Sequence, residues 1–115
     1  MIKGIGTDIV KVSRMNFDIA KRILSESEFA KYQSFSSDAR KQEFLAGRFA
    51  IKEAISKALS HIDFELSFNE LEIKNNEFGQ PYLICHKLNQ YAFSLSISHE
   101  SDYAIGFCII EDANL

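Results

Sequence analysis

Two acidic residues stand out in the sequence because each interrupts an apolar segment. Asp8 lies within residues 2–12, a run typical of a β-strand, on the same strand face as Gly4 and Gly6. Glu53 lies within a predicted helix whose neighbouring residues are largely apolar. A buried carboxylate is costly unless it meets a cation or hydrogen-bond donors. Two carboxylates brought together are a usual ligand set for Mg²⁺, with water and phosphate oxygens completing the coordination.

Two cationic residues on the same helix suit phosphate chemistry. Lys57 is one turn beyond Glu53, and Arg48 stands where an apolar residue is expected. Beside a metal-binding pair, both side chains would neutralise phosphate charge as a leaving group departs. The pattern also fits a plainer interpretation. In that case Glu53 and Lys57 form an ordinary helix ion pair, worth roughly a few tenths of a kcal/mol, and Asp8 bonds to backbone N–H groups near a strand end.

The histidines and glycines argue against several other kinds of site. His61 and His86 have no partners at metal-ligand spacing, which disfavours a zinc site. His99 closes a predicted strand before a polar turn, where a local hydrogen-bonding role is the commoner one. The sequence has no Walker-type phosphate loop and no GxSxG, and Gly4 and Gly6 lack the third glycine of a dinucleotide-binding loop.

The periodicity of the sequence predicts an α+β fold, with an antiparallel sheet wrapped around one long, mostly buried helix. From Ile51, the long helix has apolar residues at i+3, i+4, i+7 and i+8. Ser25 and Glu28 have capping-box spacing at the start of a shorter helix. The predicted helices are 16–24, 25–35, 38–60 and 87–91, and the predicted strands are 2–12, 70–74, 81–85, 93–98 and 103–110.

Length and charge narrow the class of protein. The 115 residues predict one domain spanning 1–115. Residues 1–60 carry 11 Lys and Arg against 7 Asp and Glu, whereas residues 61–115 carry 2 against 9. The basic half suits an anionic ligand or an acidic partner, while the net charge of −3 argues against a nucleic-acid binder.

No apolar run approaches the about 20 residues of a membrane helix, and no signal-peptide pattern is present, so we expect no membrane association and a cytoplasmic protein.

Four ordered segments carry the most specific signal. The longest is 44–58, FLAGRFAIKEAISKA. The other three are 5–10 (IGTDIV), 79–82 (GQPY) and 96–100 (SISHE). In order and in sequence, they resemble the motifs of the holo-[acyl-carrier-protein] synthases, the short bacterial type of the 4′-phosphopantetheinyl transferase superfamily. The resemblance spans nearly the whole chain, and 44–58 matches the family's signature helix almost position by position.

The resemblance implies a reaction and assigns residues to it. The reaction is transfer of 4′-phosphopantetheine from coenzyme A to a serine of apo-acyl carrier protein, for fatty acid biosynthesis, with release of adenosine 3′,5′-bisphosphate. Asp8 and Glu53 match the family's Mg²⁺ ligands, and Glu53 and Lys57 its catalytic residues. Arg48, Lys57 and His99 match residues that hold coenzyme A. The serine proton would pass either to Glu53 or to a water held by the ion.

The resemblance also implies a surface for the carrier protein. Arg14, Lys21 and Arg22 match a basic surface that docks the acidic helix of acyl carrier protein, although the segment between Arg14 and Ile23 is shorter than in the family. A second departure is 60–65, SHIDFE, which is bulky and acidic where the family often has a glycine-rich loop. The metal and phosphate residues are unaffected by either change.

A homotrimer is the expected assembly, because short members of the family are trimers with active sites between subunits. His99 would then serve the neighbouring subunit's site. The residues support an interface independently of the resemblance. Ser94, Ser96 and Ser98 line one face of a predicted strand and are too polar for a simple monomer core. Two apolar faces flank them, one formed by Phe93, Leu95 and Ile97 and the other by Tyr103, Ile105, Phe107 and Ile109, so some of this apolar surface would meet another subunit.

Two other functions are compatible with the same residues. A small Mg²⁺-dependent hydrolase would turn over coenzyme A without a protein acceptor. A module that binds carrier protein or nucleotide and has lost catalysis would bind coenzyme A and leave acyl carrier protein unmodified. Intact Asp8, Glu53 and Lys57 argue against this second alternative.

Overall fold

The computed structural model describes residues 1–62 and 65–113. The helices are α1 (Phe17–Ile23), α2 (Glu26–Ser34) and α3 (Asp38–Ala58). The strands are β1 (Ile2–Lys11), β2 (Glu72–Asn75), β3 (Pro81–Ile84), β4 (Tyr91–His99) and β5 (Tyr103–Asp112). Short 3₁₀ helices occupy Val12–Arg14, Phe68–Glu70 and His86–Leu88. Asp63 and Phe64, which belong to the predicted acidic loop 60–65, lie outside the described residues.

The strands form two antiparallel units, and α3 packs across the larger one. This sheet has the order β1-β5-β4, while β2 and β3 form a separate hairpin. The predicted α+β class is confirmed. The prediction of a helix at 87–91 was wrong, because only one 3₁₀ turn forms at His86–Leu88 and β4 already begins at Tyr91.

Helix α3 lies unusually close to β1 because two strand positions have no side chain. A Cβ atom at Gly6 would overlap the backbone carbonyl of Ala54, and a Cβ at Gly4 would overlap that of Ala58. The glycines of the strand therefore mark a close approach of two backbones. This approach holds the last two turns of α3 against the inner face of β1, beside Asp8.

The opposite face of the sheet is exposed, with mainly apolar side chains on β1 and β5 and serines on β4. On this face, paired residues of β1, β5 and β4 lie side by side. One such row consists of Ile9, Ile105 and Ser98. Ile5 and Ile9 are 60% and 62% exposed, and Phe107 and Ile105 are also exposed. An exposed apolar patch of this kind, bordered by the serines of β4, is typical of an interaction surface.

Candidate active site

Asp8 and Glu53 come together at the inner edge of β1, with Lys57 beside them. The Nζ atom of Lys57 lies 3.0 Å from Oδ1 of Asp8 and 3.0 Å from the carbonyl oxygen of Thr7, and it donates to both. The Asp8 side chain is 17% exposed, so the pair is partly shielded from water. Asp8 thus meets a cation from α3, although 49 residues separate the two positions in sequence.

The electrostatics of this cluster favour an additional cation. Burial raises the pKa of Glu53, the negative charge of Asp8 raises it further, and Lys57 opposes both effects. At Glu53, the repulsion from Asp8 therefore outweighs the attraction of Lys57. Among residues 1–62 and 65–113, no third histidine, cysteine or carboxylate joins a potential metal cluster. Two hard oxygen ligands with open positions fit Mg²⁺, which usually keeps waters and binds substrate phosphates.

Arg48 lies in a different part of the fold, on the side of α3 that faces α2 and β2. Its side chain is only 8% exposed, and its Nη2 donates a 2.7 Å hydrogen bond to Oδ1 of Asn75. Its guanidinium lies over the ring of Phe44, and its Nε is 3.5 Å from Oε2 of Glu28. Burial lowers the pKa of Arg48, and Glu28 opposes this shift.

A cleft of about 300 Å³ opens beside Arg48. The other cationic residues that line the cleft are Lys31 and Arg40. His99, at the end of β4, also lines it. A second cavity of about 310 Å³ shares Arg48, Lys31 and Asn75 with the first and adds Lys74. The cleft can therefore receive an anion with a planar group, because it combines basic and aromatic side chains.

A buried ionic network beneath this cleft was not predicted from sequence. Lys52 is fully buried and donates to Oε1 of Glu28 at 2.6 Å and to the carbonyls of Ile23 and Phe68. Glu28 also accepts from the backbone N–H of Ile73 at 2.9 Å. Burial lowers the pKa of Lys52, while Glu28 acts in the opposite direction. The predicted capping box was the only sign of Glu28 in the sequence, and it is confirmed.

Within one chain, the two groups of predicted site residues do not meet. Arg48 and Glu53 are five residues apart, which is about 140° around a helix. Lys57 is nine residues from Arg48, about 180° around it. None of Asp8, Glu53 and Lys57 lines the cleft of Arg48 and His99. Within a single chain, Lys57 therefore lies beside the carboxylate pair and Arg48 does not.

The basic residues predicted for carrier docking lie around α1. Arg14 ends the 3₁₀ helix before α1, and Lys21 and Arg22 lie in the last turn of α1. All three side chains belong to exposed residues. Beside Lys21, an open apolar groove of about 410 Å³ runs between α1 and α2, lined mainly by Phe17, Leu24 and Phe29.

In the parts of the chain that the structure describes, no helix has the length and apolarity needed to cross a bilayer.

Comparison with known proteins places the chain in a family. The sequence model described as the 4′-phosphopantetheinyl transferase superfamily matches residues 4–108. The chain is 46% identical over 118 residues to the holo-[acyl-carrier-protein] synthase of Bacillus subtilis, with 96% of this chain and 97% of that protein covered. It is 39% identical to the corresponding protein of Staphylococcus carnosus, covering 96% and 98%.

A solved structure agrees with these sequence relationships. The fold is similar to that of a holo-(acyl-carrier-protein) synthase from Bacillus anthracis, crystallised in complex with CoA (3′,5′-ADP). The TM-score is 0.86 at 38% identity, and the match covers 98% of this chain and 99% of that one. The chain therefore belongs to the holo-[acyl-carrier-protein] synthase family of the 4′-phosphopantetheinyl transferase superfamily, as its sequence motifs predicted, and is a phosphopantetheinyl transferase.

Proposed function

We propose that this chain transfers 4′-phosphopantetheine from coenzyme A to a serine of apo-acyl carrier protein, in an Mg²⁺-dependent reaction that supplies fatty acid biosynthesis. The observation that carries the proposal is the pair of carboxylates, Asp8 and Glu53, with Lys57 bonded to Asp8 at the inner edge of β1. The names of the B. subtilis and S. carnosus relatives support the carrier-protein acceptor. The CoA (3′,5′-ADP) complex of the B. anthracis relative supports the donor.

The reaction exchanges one phosphorus–oxygen bond for another. The serine oxygen forms a bond to the phosphorus that carries pantetheine, and the bond from this phosphorus to the bridging oxygen breaks. Adenosine 3′,5′-bisphosphate leaves with the bonding electrons, and the serine proton passes to a base. The phosphates of coenzyme A and of the departing adenosine 3′,5′-bisphosphate are negatively charged. Most of the catalysis is therefore expected from holding the reacting atoms in place and from positive charge beside the phosphates.

Different residues of the chain would bind the metal, neutralise phosphate charge and hold coenzyme A. Asp8 and Glu53 would hold Mg²⁺, which supplies positive charge to the phosphate oxygens. Lys57 adds a second positive charge beside Asp8. Arg48 and His99 would hold the nucleotide end of coenzyme A in their shared cleft, where Arg48 is already fixed by Glu28 and Asn75. A guanidinium held in place loses little freedom when it binds a phosphate.

The carrier protein would dock on the basic surface formed by Arg14, Lys21 and Arg22. Acidic partners are attracted to such a surface and aligned by it before close contact. The groove between α1 and α2 offers apolar contact area next to Lys21. Charges at the edge and apolar residues at the centre are the usual arrangement of a specific interface.

A homotrimer would unite the two halves of the site. One coenzyme A cannot contact both halves of a single chain without passing around α3, since the cleft of Arg48 and the carboxylates of β1 lie on different sides of that helix. If the exposed apolar sheet face packs against a neighbouring subunit, the cleft of one chain can lie beside the carboxylates of the next. A ring closed by three-fold symmetry builds three identical sites in this way.

Replacing Ile105 by glutamate should dissociate this assembly. Ile105 is 42% exposed at the centre of the apolar face, and a carboxylate buried there without a partner would be costly. Light scattering should give about three times the chain mass of 13.1 kDa for the parent protein and a smaller mass for Ile105→Glu. Ile84→Glu is the matched control, because Ile84 is 43% exposed on the β2–β3 hairpin. A parent protein that is monomeric and fully active would contradict the interface-site proposal.

Removal of the metal should stop the transfer. Excess chelator should remove Mg²⁺ from Asp8 and Glu53. Turnover measured with labelled coenzyme A should then fall to background. Restoring free Mg²⁺ should restore the rate, whereas an equal ionic strength of KCl should not. Unchanged transfer after exhaustive chelation would show that Asp8 and Glu53 act without a metal.

A further inference from the structure

His99 and Glu43 form a contact between the sheet and α3 at the wall of the cleft. His99 is the last residue of β4, and its side chain is 51% exposed. Glu43 lies one turn before Gly47, where α3 packs against Ile97. Nδ1 of His99 and Oε1 of Glu43 are 3.2 Å apart, and both residues line the cleft that contains Arg48.

This contact determines which ring nitrogen of His99 carries hydrogen. An ionised carboxylate only accepts hydrogen bonds, so the imidazole must donate from Nδ1. The two ring nitrogens point in roughly opposite directions, which directs Nε2 away from Glu43 and α3. Neutral His99 then presents Nε2 as an acceptor, which a phosphate oxygen cannot pair with, whereas protonated His99 presents Nε2–H as a donor to that oxygen.

The charge of Glu43 is unfavourable for any direct role in binding an anion. The other charged groups that line the cleft are Lys31, Arg40 and Arg48, all of them cationic. A carboxylate among them weakens the attraction for a phosphate. A half-exposed ion pair such as Glu43 with His99 also adds little to the stability of a fold. Since Glu43 suits neither anion binding nor fold stability, we infer that it acts on the His99 ring.

We propose that Glu43 is a positioning residue for coenzyme A: it holds the His99 ring through Nδ1–H, so that Nε2–H of the protonated ring points to the phosphates in the cleft. The proposal rests on the proposed function, which assigns His99 to coenzyme A. An unrestrained ring at the exposed end of a strand would lose more freedom on binding, and Glu43 removes part of that cost in advance.

The first test needs neither substrate. Long-range ¹H–¹⁵N spectra of the ligand-free protein, recorded where His99 is neutral, should show the Nδ1–H tautomer. In Glu43→Ala, the ring should shift toward the Nε2–H tautomer, which free imidazole side chains favour. Asp38→Ala removes a carboxylate from the same helix without touching His99, and it should leave the tautomer unchanged. An unchanged tautomer in Glu43→Ala would overturn the proposal.

The second test is a double-mutant cycle on the KM for coenzyme A. Glu43→Ala should raise this KM about threefold to tenfold, the range expected for one lost hydrogen bond, with kcat changed less than about twofold because the carboxylates of β1 are untouched. In a His99→Ala background the same substitution should no longer raise KM, since contacting residues are coupled. Equal effects in both backgrounds, or a lower KM in Glu43→Ala, would overturn the proposal.

The two tests separate the positioning role from the proposed function. If His99→Ala leaves KM for coenzyme A unchanged, the assignment of His99 to coenzyme A is wrong, and the positioning role falls with it. If His99→Ala raises KM while Glu43→Ala moves neither KM nor the tautomer, the proposed function stands and only the role of Glu43 is wrong.

Discussion

Replacing Glu53 by glutamine should nearly abolish transfer and yet make the metal-free protein more stable. The amide keeps the shape of the side chain but removes one anionic ligand, so kcat should fall by about two to three orders of magnitude, as for other lost charge contacts at a reacting centre. Steady-state transfer at saturating coenzyme A and carrier protein measures this loss. Transfer at the parent rate would contradict the metal assignment.

The stability effect follows from the sign of the Glu53 pKa shift. Burial and Asp8 raise this pKa above its ordinary value of 4.5, so the folded protein disfavours the charged form. The resulting destabilisation is absent below the unfolded-state pKa, grows as the pH rises toward the folded-state pKa, and is complete above it. In chelator at pH 7, Glu53→Gln should therefore unfold at a higher temperature than the parent, and the difference should vanish below about pH 4.5. Glu77→Gln, on an exposed turn, should show neither effect.

Glu28→Ala should cause the largest loss of stability of any single substitution considered for this chain. Its side chain is 2% exposed and neutralises Lys52, which is fully buried. Removing one partner of a buried ion pair typically costs about 3–5 kcal/mol, a large part of the about 5–15 kcal/mol that stabilises a domain. The substitution also leaves the backbone N–H groups of Ser25 and Ile73 without their acceptor.

Urea unfolding provides the measurement and its controls. Glu26→Ala removes a carboxylate from the first turn of the same helix, at an exposed position, and should change the free energy of unfolding by less than about 1 kcal/mol. In a Lys52→Met background, Glu28→Ala should cost clearly less than it does alone, because no buried ammonium is left uncompensated. A loss below about 1 kcal/mol for Glu28→Ala alone would mean that the buried charges are compensated by other groups.

Local sequence signals were sufficient for the three α-helices. The apolar stripe that starts at Ile51 and the capping box of Ser25 and Glu28 both act within one or two helical turns, so their outcome depends little on the rest of the chain. The close approach of the α3 backbone to Gly4 and Gly6 of β1 is seen only in the structure. The 3₁₀ turn at His86–Leu88 was mistaken for a longer helix because so short an apolar run has no clear period.

Contacts between distant residues were beyond sequence reasoning. Glu28 reaches Ile73 across 45 residues, and Glu43 reaches His99 across 56. Neither pair has a periodic or motif signal, because each depends on how helices and strands pack in space. Residue types and the family resemblance both suggested a shared site for Asp8 and Lys57, but neither gave the direct contact that the structure shows. The separation of Arg48 from Glu53, in contrast, follows from their five-residue spacing on α3 and was predictable from the sequence.

Intact-mass spectrometry of apo-acyl carrier protein tests the central claim most directly. After incubation with this chain, coenzyme A and Mg²⁺, the carrier protein should gain the mass of one phosphopantetheine, and a carrier whose acceptor serine is replaced by alanine should gain none. Adenosine 3′,5′-bisphosphate should appear in equal amount. A carrier protein that stays unmodified while coenzyme A is bound or hydrolysed would contradict the transfer reaction and favour a binding module or a hydrolase.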